Sequence, residues 1–159
     1  MRKIVVALLC AAIATAAAAD DRAADREAIR AHIDKIFNAY INSDCATIRN
    51  THSANWIGFT VGAREIVHGI DGYMKFAGAC QPGATSRPAS HMTRHKILAI
   101  DYEFYGDIAL VPYIAETSGT NWSGTKLRSI DIYQKQHGEW MQIASNIGLH
   151  PDTVEEPKK

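Results

Sequence analysis

An aspartate stands in the middle of an otherwise good strand sequence, Leu127-Arg128-Ser129-Ile130-Asp131-Ile132-Tyr133. Aspartate is depleted from strands because its side chain competes for backbone partners and resists burial. Strand alternation puts Ser129, Asp131 and Tyr133 on one face, and Arg128, Ile130 and Ile132 on the other. If the first face is the inner one, Asp131 is a sheltered carboxyl suited to acid or base chemistry. If it is the outer one, Asp131 is a surface acid paired with Arg128, Lys126 or a neighbouring strand. A single sequence leaves both open. Asn146, within Ile143-Ala144-Ser145-Asn146-Ile147, poses the same choice. Inward it would orient a ligand as donor and acceptor; outward it is a solvated strand-end residue.

The seven histidines form no metal signature. His91 and His95 are spaced for one helix face, but they lead into a strand, and no His-Glu-x-x-His pattern occurs. His52 and His68 flank the first expected hairpin, where either would serve as a general base near neutral pH. The competing reading is a hydrogen-bonded structural or surface histidine. Trp56, Tyr73, Tyr113 and Tyr133 are candidate pocket walls, or else core packing. Arg64 and Arg128 would receive an anionic ligand if they are not simply surface residues. There is no Gly-x-Ser-x-Gly nucleophile, phosphate loop or dinucleotide fingerprint, so no cofactor is expected.

The elements that must position these residues follow from periodicity. Ile29, Ile33, Ile36, Phe37, Tyr40 and Ile41 recur at helical spacing within a helix over 22–42. Ser43-Asp44 breaks it and offers a cap for a short helix near 45–51. Residues 55–62 predict a strand and turn, with Glu65 to His68 as its hairpin partner. Asp71 is placed to cap a third helix to about Ala79, and 81–90 is loop by composition. Strands are predicted over 96–105, 108–117, 127–135 and 140–147, the last two joined across His137-Gly138. Helices first and an antiparallel meander last indicate an α+β domain.

The chain of 159 residues suits one domain. Met1-Arg2-Lys3, the apolar run Ile4 to Ala18 and Ala17-Ala18-Ala19 have the order of a secretory signal peptide over 1–19, cleaved after Ala19. The run is shorter than the roughly 20 residues a membrane span needs. The expected product is an exported, periplasmic or secreted, domain over 20–150 with a polar, mobile tail over 151–159. Losing Arg2 and Lys3 leaves a slightly negative chain with no run of like charge, which argues against nucleic acid or anionic membrane as partner. Cys45 and Cys80 remain after processing. They bridge or stay free in an oxidising compartment, and sequence does not supply the geometry that decides.

Three stretches resemble the nuclear transport factor 2-like superfamily, in particular its SnoaL-like branch and related domains of unknown function. They are the opening helix flowing into Asn42-Ser43-Asp44, the turn Tyr105-Gly106-Asp107-Ile108-Ala109-Leu110-Val111, and Gly138-Glu139-Trp140-Met141-Gln142-Ile143-Ala144-Ser145-Asn146. The resemblance implies N-terminal helices packed on a strongly curved antiparallel sheet, a cone whose open end holds a mixed apolar and polar pocket. It also implies members that bind small molecules, members that are isomerases, dehydratases or hydrolases, and dimers through the outer sheet face. The expected partners are a small, partly apolar molecule and a second copy of the chain. The string Ile130-Asp131-Ile132-Tyr133 is similar to the ketosteroid isomerase strand that carries an acid kept protonated by an apolar pocket. That enzyme's tyrosine and base fall on Ile36 and Thr60, which cannot replace them, so the likeness extends to the acid alone. A fold of this kind does not fix function.

Overall fold

The computed structural model describes residues 2–84 and 90–153, the side chains of 2–21 apart. Helix α1 (Arg2–Asn42) leads into α2 (Cys45–Asn50), then β1 (His52–Phe59), β2 (Val67–His68) and α3 (Gly69–Met74). After a 3-10 turn at Gly78–Cys80 come β3 (Met92–Ile100), β4 (Glu103–Tyr105), β5 (Ile108–Gly119), β6 (Thr125–Gln136) and β7 (Glu139–Leu149). The sheet order is β2-β1-β7-β6-β5-β3, with β4 pairing β5.

The helical face behaves as its spacing predicts. Ile29, Ile33 and Phe37 pack on Val111, Tyr113, Leu127 and Tyr133 of the inner sheet face in the main core. Full burial of each isoleucine stabilises the fold by about 1.5–3 kcal/mol. Asp25 pins this helix to the β6–β7 hairpin, accepting from Lys135 Nζ at 2.8 Å, Trp140 Nε1 at 2.9 Å and Arg22 Nη1 at 3.2 Å. Burial pushes the Asp25 carboxyl up, but the bonds from Lys135 and Trp140 and the charges of Lys135 and Arg22 outweigh it and hold it below its ordinary value. Asp44 caps α2 as expected, accepting from the Thr47 backbone N–H at 3.0 Å and its hydroxyl at 2.7 Å. A second core of Ile48, Trp56, Val67, Tyr73 and Met74 lies under α2 and α3.

Four expectations need correction. The sheet is mixed, not antiparallel throughout: β1 runs parallel to β7. The crossover arises because β1 leaves the helices early and meets the last strand of the chain. The third helix starts at Gly69 with His68 at its cap position, and Asp71 lies in its first turn, paired with Arg49 Nη1 at 2.7 Å. The strand predicted over 96–105 is two strands, parted at Asp101-Tyr102. The tail begins docked: Thr153 Oγ1 accepts from the Lys126 N–H at 3.0 Å and donates to the Lys126 carbonyl at 3.1 Å. The rest of the tail, and residues 85–89 of the predicted 81–90 loop, lie outside the described residues.

Cys45 and Cys80 are joined, with Cα atoms 5.3 Å apart. The bridge ties the start of α2 to the turn that follows α3. The β6–β7 hairpin turns through His137 (φ 53°) and Gly138 (φ 87°), the positive angles a two-residue turn requires. Among the described residues, no helix is long and apolar enough to cross a membrane.

Candidate functional site

The two cores meet at a cavity of about 160 Å³. Its walls are mainly apolar: Ile33, Ile36 and Phe37 from α1, Val61 after β1, Phe76 after α3, and Met92, Leu127 and Ile147 from the sheet. Polar side chains also border it, from Tyr40, Thr60, Tyr73, Tyr113, Asp131, Gln142 and Ser145. Among the described residues no Lys, Arg or His lines it.

Asp131 lies on the inner face of β6, with Ser129 and Tyr133, and is 2% exposed. Ser129 Oγ donates to its Oδ1 at 2.6 Å, and Gln142 Nε2 donates to its Oδ2 at 2.6 Å. The Tyr113 hydroxyl borders the same cavity from the neighbouring strand. Burial pushes the carboxyl from its ordinary 3.8 up to about 7, and its hydrogen bonds only partly offset it. Gln142 is itself fixed, because Trp56 Nε1 donates to its Oε1 at 3.3 Å. An indole N–H cannot accept, so the amide oxygen must face Trp56 and the amide nitrogen must face Asp131.

A β-bulge makes this network possible. Opposite Ile132 and Tyr133, β7 carries an extra residue between Ala144 and Gln142. Inward residues therefore shift from Trp140 and Gln142 to Ser145 and Ile147, and both Gln142 and Ser145 reach the cavity. The same shift turns Asn146 outward, where it is exposed opposite Ile130.

Tyr40 and Tyr73 form a second polar pair, Oη to Oη 2.9 Å. One proton serves that bond and the other remains for a further acceptor. Burial raises both phenols, Tyr40 to about 12 and Tyr73 well above its ordinary value. Burial, followed by the Asp131 charge, does the same for Tyr113.

Of the residues singled out in the sequence, Asp131, Tyr73 and Tyr113 border the cavity. The others stand elsewhere. His52 is buried behind Tyr73, ring centroids 4.1 Å apart, with Nδ1 held 2.8 Å from the Ile48 carbonyl oxygen. Burial pushes it down to about 4, so it is neutral at physiological pH and supports a wall without reaching the cavity. His68 is exposed and borders, with Arg64, a separate surface depression. Trp56 is fully buried and acts through Gln142. Tyr133 fills the main core, edge-on to His32 at 5.4 Å. Arg128 is exposed on the outer sheet face, as its alternation with Asp131 requires. Sequence reasoning missed Gln142, Ser145 and Tyr40 as cavity residues. A polar residue at an inward strand position was the available signal for Gln142, but the bulge hid the parity that identifies it. Among the described residues no cluster of His, Cys, Asp or Glu could hold a metal ion.

The fold is the nuclear transport factor 2-like fold. A nuclear transport factor 2-like protein of unknown function from Pseudomonas putida superposes with a TM-score of 0.64 at 19% identity, over 80% of this chain and 87% of that one. LinA matches at 0.64 and 16%, over 82% and 88%. A protein of unknown function with a cystatin-like fold from Nostoc punctiforme matches at 0.65 and 15%, over 81% and 93%. At these identities the likeness concerns the fold. No family profile and no curated protein matches the chain in sequence.

Proposed function

We propose that the protein binds a small, partly apolar molecule in the cavity, with the ligand's polar group against Asp131. The observation that carries this reading is a buried carboxyl, held by the Ser129 and Gln142 donors, in the wall of a mainly apolar space. A close-packed core has no use for such a space, and an unpaired buried charge is expensive to maintain. Native mass spectrometry of the protein purified from its own host, followed by denaturing release, tests it. A stoichiometric small molecule supports the reading. An empty protein that also fails to bind any of a panel of ring-sized compounds refutes it.

The second reading is a cofactor-independent acid–base enzyme of isomerase, dehydratase or hydrolase type. Its support is that Asp131, at about 7, is poised to exchange a proton near neutrality. Asp131→Asn should then abolish turnover of a cavity-bound substrate without loss of fold; unchanged turnover removes Asp131 from the mechanism. The leader sequence and the Cys45–Cys80 bridge support action in an exported, oxidising compartment. Exposed Leu98 and Ile130 on the outer sheet face support a homodimer, which sedimentation across concentration would test.

A further inference from the structure

We propose that the ligand is a small organic ammonium ion, its charge placed on Asp131 and its hydrocarbon part among the aromatic walls. This rests on the reading of the cavity as a ligand site and adds the ligand's charge.

The arrangement around Asp131 serves an ionised carboxylate. Ser129 and Gln142 both supply donors to it. At Oδ2 the donor cannot be reversed, because Trp56 fixes the Gln142 amide. At Oδ2 a carboxyl proton would find no acceptor, because the amide nitrogen offers none; at Oδ1 the Ser129 hydroxyl can turn to accept one. Yet among the described residues no Lys, Arg or His pairs with Asp131, although Asp25 and Asp34 both have such partners. The site thus has the hydrogen bonds of an ion pair without its cation. A carboxylate has about four acceptor positions, of which two are taken here, so room remains for a charged donor.

The rest of the cavity fits the same ligand. Phe37, Tyr40, Tyr73, Phe76 and Tyr113 line it, and aromatic rings attract organic cations. With no basic residue among the described residues of the lining, a carboxylate or phosphate ligand would meet Asp131 uncompensated. At about 160 Å³ the space resembles cavities of about 150 Å³ that take one benzene ring.

The titratable groups facing Asp131 do not blur its pH response. They are Tyr113 from β5, Tyr133 from β6 and Tyr73 from α3, backed by Tyr40 from α1, and all four are raised by burial. His52 on β1, in register with Gln142, is pushed down to about 4. Near neutrality Asp131 alone among them changes charge.

Calorimetric titration of the purified protein with cyclohexylamine, cyclohexanol and cyclohexanecarboxylate, from about pH 5.5 to 8.5 where the amine stays cationic, tests the inference. The amine should bind at least about tenfold more tightly than the isosteric alcohol at the alkaline end. Its advantage should disappear as pH falls through neutrality and Asp131 is protonated. Asp131→Asn should lose that advantage and keep the alcohol's affinity, with an unchanged circular dichroism spectrum as the fold check. Alcohol or carboxylate binding as well as the amine in the unaltered protein overturns the ammonium assignment and leaves the ligand-site reading standing. Binding of none of the three overturns both. The comparison of probes needs no variant, so a misfolded Asp131→Asn would not rescue the idea.

Discussion

Asp131→Asn should make the ligand-free protein more stable, and increasingly so as pH rises. The folded carboxyl is raised from 3.8 to about 7. A group raised in this way contributes stability that is complete below its unfolded pKa and is lost as pH rises through the folded one. Between about pH 4 and 7 the unaltered protein therefore pays for stripping water from a developing charge. The difference corresponds to roughly 4 kcal/mol as a ceiling, from about 1.4 kcal/mol per unit. Asparagine has the same shape and no charge. Its oxygen can accept from Gln142 Nε2, and its nitrogen can donate to the Ser129 hydroxyl, so no donor is orphaned. Urea unfolding of both proteins from pH 4 to 8.5 measures the effect. Other groups titrate here too: His52 and His32 are pushed down by burial, so their contribution falls as pH drops below the ordinary histidine range. Subtracting the two curves removes them. The variant's advantage should be near zero at pH 4 and reach between roughly 1 and 4 kcal/mol by pH 8. Parallel curves, with no growth of the difference through neutrality, would refute the claim that Asp131 is a buried charge without a counterion.

Gln142→Leu should cost about 1–3 kcal/mol, since it leaves the Trp56 N–H and one Asp131 oxygen without their bonds, and should raise the Asp131 midpoint seen by carboxyl-carbon NMR. Lys135→Met should weaken the protein by about 1–3 kcal/mol at neutral pH. Because the Asp25 carboxyl is held low, that deficit should shrink on acidification as Asp25 becomes protonated, which urea midpoints across pH would record. Gly58→Ala should sharply lower the melting temperature, because a Cβ there would collide with the Ser145 backbone carbonyl where β1 lies against β7. Reducing the Cys45–Cys80 bridge should lower unfolding stability by about 2–4 kcal/mol, read as a shifted urea midpoint with and without a dithiol.

The helix over 22–42, the capping role of Asp44 and the late strands were legible because each depends on local spacing. The alternation on β6 was legible too, and it correctly grouped Ser129, Asp131 and Tyr133. Which way that face pointed was not, because it depends on where α1 lies. Asn146 shows the harder limit. Counting from Trp140 by twos turns it inward; the extra residue at the β7 bulge turns it outward and brings Ser145 in. A bulge of this kind carries no marker residue here. His52 was misjudged for a related reason: proximity to the expected pocket was readable, but the Tyr73 ring standing between was not. The parallel pairing of β1 with β7 joins segments whose sequences contain no mutual signal.

That pairing also sets the order of assembly. Trp56 and Gln142 are 86 positions apart, and β7 is the last strand of the chain. Closing so long a loop is an entropic toll that local contacts cannot share. On a growing chain β1 lacks β7, its partner along one edge, and Asp131 has no amide to orient it. The cavity is therefore incomplete in every N-terminal fragment that stops before β7, which supplies Gln142, Ser145 and Ile147 to its wall.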